Sequence, residues 1–338
     1  MKLRSLALVL VPIVAVTAAC GGGGGKSKSA SGKDLDKVTL TLNWYPYGEH
    51  APFYYGKKQG IFEKHGIDLQ IKAGQGSQKT VQATGAGQTD FGWADTPALL
   101  AGVSQGLPVK SIGVYMQTTP ASVQFFSAKT IKTPADLKGK TIAATAGDAP
   151  SRTFPAFLKK NGLSESDVHL QNTDPAGKMA AVISGKTDGL IGYANDQGPT
   201  MAAKSGKQVS YLKFADFGLN YYSNGLLVGD RKLKSDADLV KRMSAATSEA
   251  WAAAEKDPAN AVAAMQGASQ QLPSPTVLTQ QFQTTLSLLH TDATKGKAPG
   301  VNTEADWQTT IGVFTAAGLI SKAQPASAYW DSSDAPQG

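Results

Sequence analysis

From Val38 onward the chain alternates between segments of period two and segments of helical spacing, and this alternation limits the fold more than any other feature. "VTLTLNW" alternates as a half-buried strand does. Ala51–His65 then carries Ala51, Tyr54, Tyr55, Ile61 and Phe62 at near-helical spacing, with Pro52 in the first turn, where proline is tolerated. Gly66 ends that helix and "IDLQIKA" is the next strand. "SQKTVQATGAGQ" reads as a helix, "DFGWAD" as a short strand, "TPALLAGVSQG" as a helix and "VKSIGVYMQ" as a strand. Repeated β-α-β with short connections predicts parallel strands covered by helices.

The series breaks near Thr118 and restarts. "TTPASVQFFSAKTIKTPADLKGK" contains an apolar strand and a turn, and "KTIAATA", "SDVHLQN", "KTDGLIGYA" and "QVSYLKF" are further strands with helical segments between them. After "NYYSNGLLVGDR" the pattern turns helical. Asp238–Lys256 places Leu239, Met243, Ala246, Ala250, Trp251 and Ala254 on one face, and further helices are expected around 259–268, 276–290 and 303–318. Two β-α-β units with two strand-like connectors and a helical C-terminal part imply two lobes around a hinge, a common setting for a small-molecule site.

The N-terminus stands apart from this pattern. "MKLR" followed by the apolar "SLALVLVPIVAVTAA" has the layout of a secretory signal peptide over residues 1–19. Cys20, the only cysteine, follows Ala18 and Ala19 and precedes "GGGGGKSKSASGK". This resembles a bacterial lipobox, with Thr17 where leucine is commonest, and makes Cys20 the expected lipidated residue. Residues 20–36 are then a flexible tether whose ends lie about 20 Å apart. A single cysteine excludes disulfides within the chain and any cysteine-built metal centre. The net charge of +7 is no clue to a nucleic acid. Lys2, Arg4, Lys26, Lys28 and Lys33 stand in an N-terminal stretch without acids, which leaves 28 basic against 26 acidic residues for the rest.

Catalytic signatures are missing from the sequence. His50, His65, His169 and His290 form no metal-ligand spacing, and neither a nucleophile elbow nor a phosphate-binding loop is present. Polar and aromatic residues instead gather at the predicted strand ends, where ligands bind in parallel α/β sheets. Trp44, Tyr47 and His50 follow the first strand, and Trp93 and Asp95 end the third. Trp44 and Trp93 are either walls of a site or core. Ser151 and Arg152 open a helix, as an anion site or as a plain N-cap beside a solvated arginine. Tyr193 and Asp196, in "GYANDQGPT", follow another strand.

"LNWYPYGEHAPFYYGKKQGIFEKHGIDLQI" resembles the opening of the periplasmic binding proteins for thiamine-pyrimidine precursors. Trp44, Pro46, His50, Tyr54, Gly60, Phe62 and Gly66 match that pattern, whereas Tyr47 replaces an Asn and Pro52 a Gly. "GQTDFGWADTPALLAGVSQGLPVKSI" and "TPADLKGKTIA" match the wider group, which includes sulfonate, taurine and nitrate binders.

The resemblance implies the type II periplasmic-binding-protein fold. Residues 37–120 and 226–338 would form lobe 1 and residues 121–225 lobe 2, with crossings near Ser122–Lys129 and Asn224–Val228. It implies a monomeric, lipid-anchored binding protein on the outer face of the bacterial cytoplasmic membrane, without cofactor or turnover, that serves an ABC permease and ATPase. A heteroaromatic ligand would stack on Trp44 or Trp93 and meet Asp95, Asp196 and His50. A sulfonate or aromatic carboxylate held by Arg152 is the alternative ligand. Some eukaryotic relatives instead synthesise the pyrimidine with a cysteine-rich iron site and a sacrificed histidine. The export signal and the single cysteine argue against that chemistry here.

Overall fold

The computed structural model describes residues 25–28, 32, 34–146 and 148–337. The expected signal peptide, residues 1–19, and Cys20 lie outside them. The strands are β1 (Lys26–Lys28), β2 (Asp34–Thr41), β3 (Ile67–Lys72), β4 (Phe91–Asp95), β5 (Val109–Val114), β6 (Ala121–Phe126), β7 (Thr141–Ala144), β8 (His169–Asn172), β9 (Gly189–Tyr193), β10 (Val209–Lys213) and β11 (Asn224–Gly229). Helices α1 (Ala51–Lys58), α2 (Ile61–Lys64), α3 (Ser77–Gly85) and α4 (Thr96–Ser104) belong to the first β-α-β series. Helices α5 (Ala149–Lys160), α6 (Pro175–Ile183) and α7 (Gln197–Ser205) belong to the second. The helical C-terminal part comprises α8 (Asp230–Ser235), α9 (Ala237–Lys256), α10 (Pro258–Ala263), α11 (Pro275–Leu286) and α12 (Glu304–Ala316).

Two sheets result, one per lobe. The first runs β1-β2-β4-β11-β5 with β3 on β2, and the second runs β10-β6-β9-β7-β8. Both are mixed, which corrects the expectation of purely parallel strands. β11 runs antiparallel to β4 and β5, and β6 antiparallel to β9 and β10. Each of these two strands is entered from the other lobe, so it runs against its neighbours, a direction that local periodicity does not encode. The predicted crossings are likewise displaced. Ser122–Phe126 and Asn224–Val228 are strands inside the sheets, and the chain passes between lobes at 115–120 and 214–223. The segment read as a tether is partly structured as well: Lys26–Lys28 pairs antiparallel with Asp34–Asp36, and Ser27 Oγ donates to Asp68 Oδ2 at 2.7 Å.

The predicted helix over Ala51–His65 is two helices, because Gly60 between them takes a left-handed backbone (φ +70°) that few other residues adopt. Each lobe has an aromatic centre. In lobe 1, Trp93 stacks on Trp251 (5.3 Å, 21°) and takes Phe53 edge-on at 4.9 Å, which joins β4 to α9 and α1. In lobe 2, Phe157 stacks on Phe214 at 4.3 Å, with Phe154 beside them.

Candidate functional site

A cleft of about 440 Å³ lies where strand ends of the two sheets meet. Lobe 1 contributes Asn43, Trp44 and Tyr47 after β2, Gln75–Lys79 at the start of α3, and Asp95, Pro97, Ala98 and Ala101 at the β4–α4 junction. Lobe 2 contributes Thr145, Asp148, Pro150 and Arg152 between β7 and α5, Tyr193, Asp196 and Gln197 after β9, and Lys178 from α6. Phe314 and Leu319 reach it from the C-terminal part. Gly74 lets the β3–α3 loop press against the end of β2, since a Cβ there would collide with the Leu42 carbonyl.

Six of the nine residues expected at a site line this cleft. Trp44 is half-buried at its mouth, edge-on to the exposed Tyr45. Tyr47 is buried and its hydroxyl donates to Glu49; burial and the Glu49 charge push the phenol well above its usual range. Asp95 caps α4 by accepting the Ala98 N–H at 2.9 Å, and across the cleft it accepts the Tyr193 hydroxyl at 3.3 Å. Burial raises the Asp95 carboxyl, and burial with the Asp95 charge raises the Tyr193 phenol. Asp196 accepts Gln197 Nε2 at 2.7 Å, and burial, then the Glu49 charge, push its carboxyl up to about 6. Arg152 is exposed at the mouth and pairs with no carboxylate among the described residues.

Trp93, His50 and Ser151 sit elsewhere. Trp93 is fully buried between Phe53 and Trp251, so both its faces are already covered, and its Nε1 donates to Glu49 at 2.6 Å. His50 is buried behind Tyr47. Its Nε2–H donates to Asn43 Oδ1 at 2.7 Å and its Nδ1 accepts the Tyr47 N–H at 3.3 Å, a pairing that fits the neutral ring. Burial lowers it to about 3. Ser151 offers no free N–H to an anion, because that group already donates to Asp148 Oδ1 at 2.8 Å. The residue that caps α5 is Asp148, and Ser151 lies in the helix's first turn.

Two buried ionisable groups escaped the sequence reading. Lys178 is only 2% exposed, and its Nζ donates to Asp148 Oδ2 and to the Ile191 carbonyl, both at 2.8 Å. The available signal was a lysine three and four residues before Ala181 and Val182, on the buried side of an apolar helix. Glu49 is fully buried with no cation beside it. It accepts from Tyr47 Oη, Trp93 Nε1, Asn195 Nδ2 at 3.0 Å and Asn224 Nδ2. Burial pushes its carboxyl up, and the four donors oppose that shift. Asn195 belongs to lobe 2, so this carboxylate fastens the lobes together behind the cleft. Among the described residues no cluster of histidine, cysteine or carboxylate side chains could hold a metal ion, and no helix is long and apolar enough to cross a membrane.

Comparisons with known proteins fit this architecture. The riboflavin-binding protein RibY of Chloroflexus aurantiacus is 26% identical over 294 residues, 85% of this chain and 82% of that protein. A 4-amino-5-hydroxymethyl-2-methylpyrimidine phosphate synthase of Uromyces fabae is 28% identical over 163 residues, 48% of this chain and 47% of that one. The chain spans less than two thirds of several curated relatives, for instance 64% of a Haemophilus influenzae protein named for thiamine biosynthesis. Among solved structures, the periplasmic aliphatic sulphonate binding protein SsuA of Escherichia coli superposes with a TM-score of 0.68 at 18% identity, covering 87% of this chain and 92% of that one. That likeness is one of fold. The sequence match that runs through residues 48–261, from the Glu49 turn to the helices behind it, assigns the chain to the NMT1/THI5-like family, with the two-lobed periplasmic-binding-protein fold.

Proposed function

We propose that the chain is an extracytoplasmic solute-binding protein that captures a small ring-bearing nutrient between its lobes and delivers it to an ABC importer. The observation that carries this reading is the cleft itself: Trp44, Tyr47 and Tyr193 offer ring surface, and beside it Asp95 and Lys178 offer buried polar groups and Asp196 a half-buried one. A planar heteroaromatic ligand buries apolar area against such rings with an orientational preference. Its exocyclic amine finds acceptors in Asp95 or Asp196, and an amine buried without one would be costly. A thiamine-pyrimidine-like compound and a flavin both meet this description, in keeping with the names of the relatives. Lipidation at Cys20 would hold a monomer on the outer face of the cytoplasmic membrane within reach of its permease and ATPase. Pyrimidine synthesis on an iron centre fits poorly, since the one cysteine lies outside the matched region.

A second reading, capture of a sulfonate or aromatic carboxylate, is favoured by Arg152, whose charge faces the mouth without a carboxylate partner among the described residues. Thermal-shift measurements on the purified chain test both, because a ligand that binds only the native state raises the melting temperature. Thiamine pyrimidines, flavins, sulfonates and aromatic carboxylates form the panel. The Trp44→Ala variant should lose the shift given by the best heteroaromatic ligand. An unchanged shift would mean that Trp44 supports the fold and not the ligand.

A further inference from the structure

The cleft is larger than one six-membered ring requires, and its polarity is uneven. A volume of about 440 Å³ falls in the range that takes a drug-sized ligand. Pro97, Ala98, Ala101 and Gln105 all line it, and their spacing follows one face of α4 for about 12 Å. Up to Gln105 that face carries no polar side-chain atom. Phe314 and Leu319 line the same cleft from the other end of the chain. Phe314 is 1% exposed and held edge-on by Tyr221 (5.1 Å, 87°), whose hydroxyl lies 3.0 Å from Thr153 Oγ1 of α5. The Leu319 N–H donates to the Phe314 carbonyl at 2.9 Å, which fixes the turn that presents both. The apolar wall is therefore preformed. Two of its members lie beyond residues 48–261, outside the part of the chain that the family match covers.

We propose that the ligand is a polar heteroaromatic ring bearing an apolar extension, fused or attached, that lies along α4 toward Phe314 and Leu319. Those two residues, with Ala98 and Ala101, set the specificity of the site. The inference rests on the reading of the cleft as a heteroaromatic-binding site and adds to it the second half of the ligand. The ring's polar edge meets Asp95, Tyr193 and Asp196, where hydrogen-bonding groups are held in place. The extension meets Ala98, Ala101 and Leu319, whose side chains have no hydrogen-bonding atom to offset the desolvation of a polar substituent.

The test uses two matched pairs of probes titrated into the purified full-length chain. One pair is 4-amino-5-hydroxymethyl-2-methylpyrimidine and its benzyl ether; the other is lumazine and lumichrome, which adds a dimethylbenzene ring. In at least one pair the extended member should bind about tenfold or more tighter, the range that a few apolar groups contribute in a fitted pocket. Phe314 belongs to the core and its truncation can unfold the chain, so the variants are Ala101→Leu, which fills the channel, and Leu319→Asn, at a half-buried position. Each should erase about tenfold of the advantage that the extended probe has over its bare ring. Equal or weaker binding of both extended members overturns the proposal, and so does an advantage untouched by Ala101→Leu. Binding of a bare ring without preference overturns this proposal alone. Failure of all four probes overturns it together with the heteroaromatic reading of the cleft.

Discussion

Glu49 and Lys178 are both buried charges, and their surroundings differ in kind. Glu49 is enclosed by four neutral donors from four separate stretches of chain, and no cation touches it. Lys178 has one carboxylate partner, Asp148, whose side chain is still 28% exposed and lines the cleft. A carboxylate whose acceptor sites are filled by neutral groups has little left to offer a ligand, and its role is to hold backbone segments in register. An ion pair with one member at a cavity wall can exchange part of its bonding for a ligand at modest cost. The contrast separates a residue enclosed behind the cleft from an ion pair that lines it.

The strongest way to break this comparison is Glu49→Ala. It leaves four buried donors unpaired and should cost about 3–5 kcal/mol of stability, read from urea unfolding. Wild-type stability would show that the enclosed carboxylate is no fastening. Lys178→Met should cost less, about 1–3 kcal/mol, because Asp148 can still turn to water and still caps α5. It should also weaken an anionic ligand more than a neutral ring. An equal loss for both would place Lys178 with the structural residues.

The pH dependence of stability sharpens the contrast further. His50, lowered to about 3, takes up its proton more readily when unfolded, so its contribution is complete above pH 6.5 and is lost as pH falls toward 3. Asp196, raised to about 6 on the cleft side, acts in the opposite sense: its cost is full above pH 6 and is relieved as pH falls toward 4. Asp196→Asn should therefore steepen the loss of stability between pH 6 and 4, and His50→Asn should flatten or invert it. Chemical denaturation across that window measures both, and parallel curves for the two variants would contradict the assignment. Arg152→Ala is the mildest change. Exposed and unpaired among the described residues, Arg152 should be replaceable within about 0.5 kcal/mol of stability, with loss of affinity for an anion and none for a neutral ring.

Much of this was legible in the chain. The strands and helices follow the alternation of periods, and the ends of β2, β4 and β9 could be located because polar and aromatic residues stand where a period-two run stops. What the pattern could not give is destination. Trp93 and Asp95 are two residues apart on one strand, yet Trp93 is sealed by Trp251, which lies more than 150 positions on, and Asp95 faces the cleft. Nothing local distinguishes the rings of Trp44 and Trp93; the difference comes from which helix covers each. The same holds for Ser122–Phe126 and Asn224–Val228, whose strand character was read while their place inside the sheets was not. Lys178 was passed over because a lysine on a helix usually points to water, and only the packing of α6 shows that this one does not.

The shell around Glu49 also carries information about the order in which the chain can become native. Its donors come from residues 47, 93, 195 and 224, the last two 146 and 175 positions away from it. β11, which supplies Asn224, is also the strand that sits between β4 and β5. Lobe 1 thus cannot complete its own sheet, or satisfy its most buried charge, until the whole of lobe 2 has been threaded and the chain has come back. Contacts of such high sequence separation form late, after the closure entropy of a long loop has been met. A nascent chain stopped short of Asn224 would keep an open sheet and an unsatisfied carboxylate at its centre, which makes β11 the step that commits the molecule to its folded state.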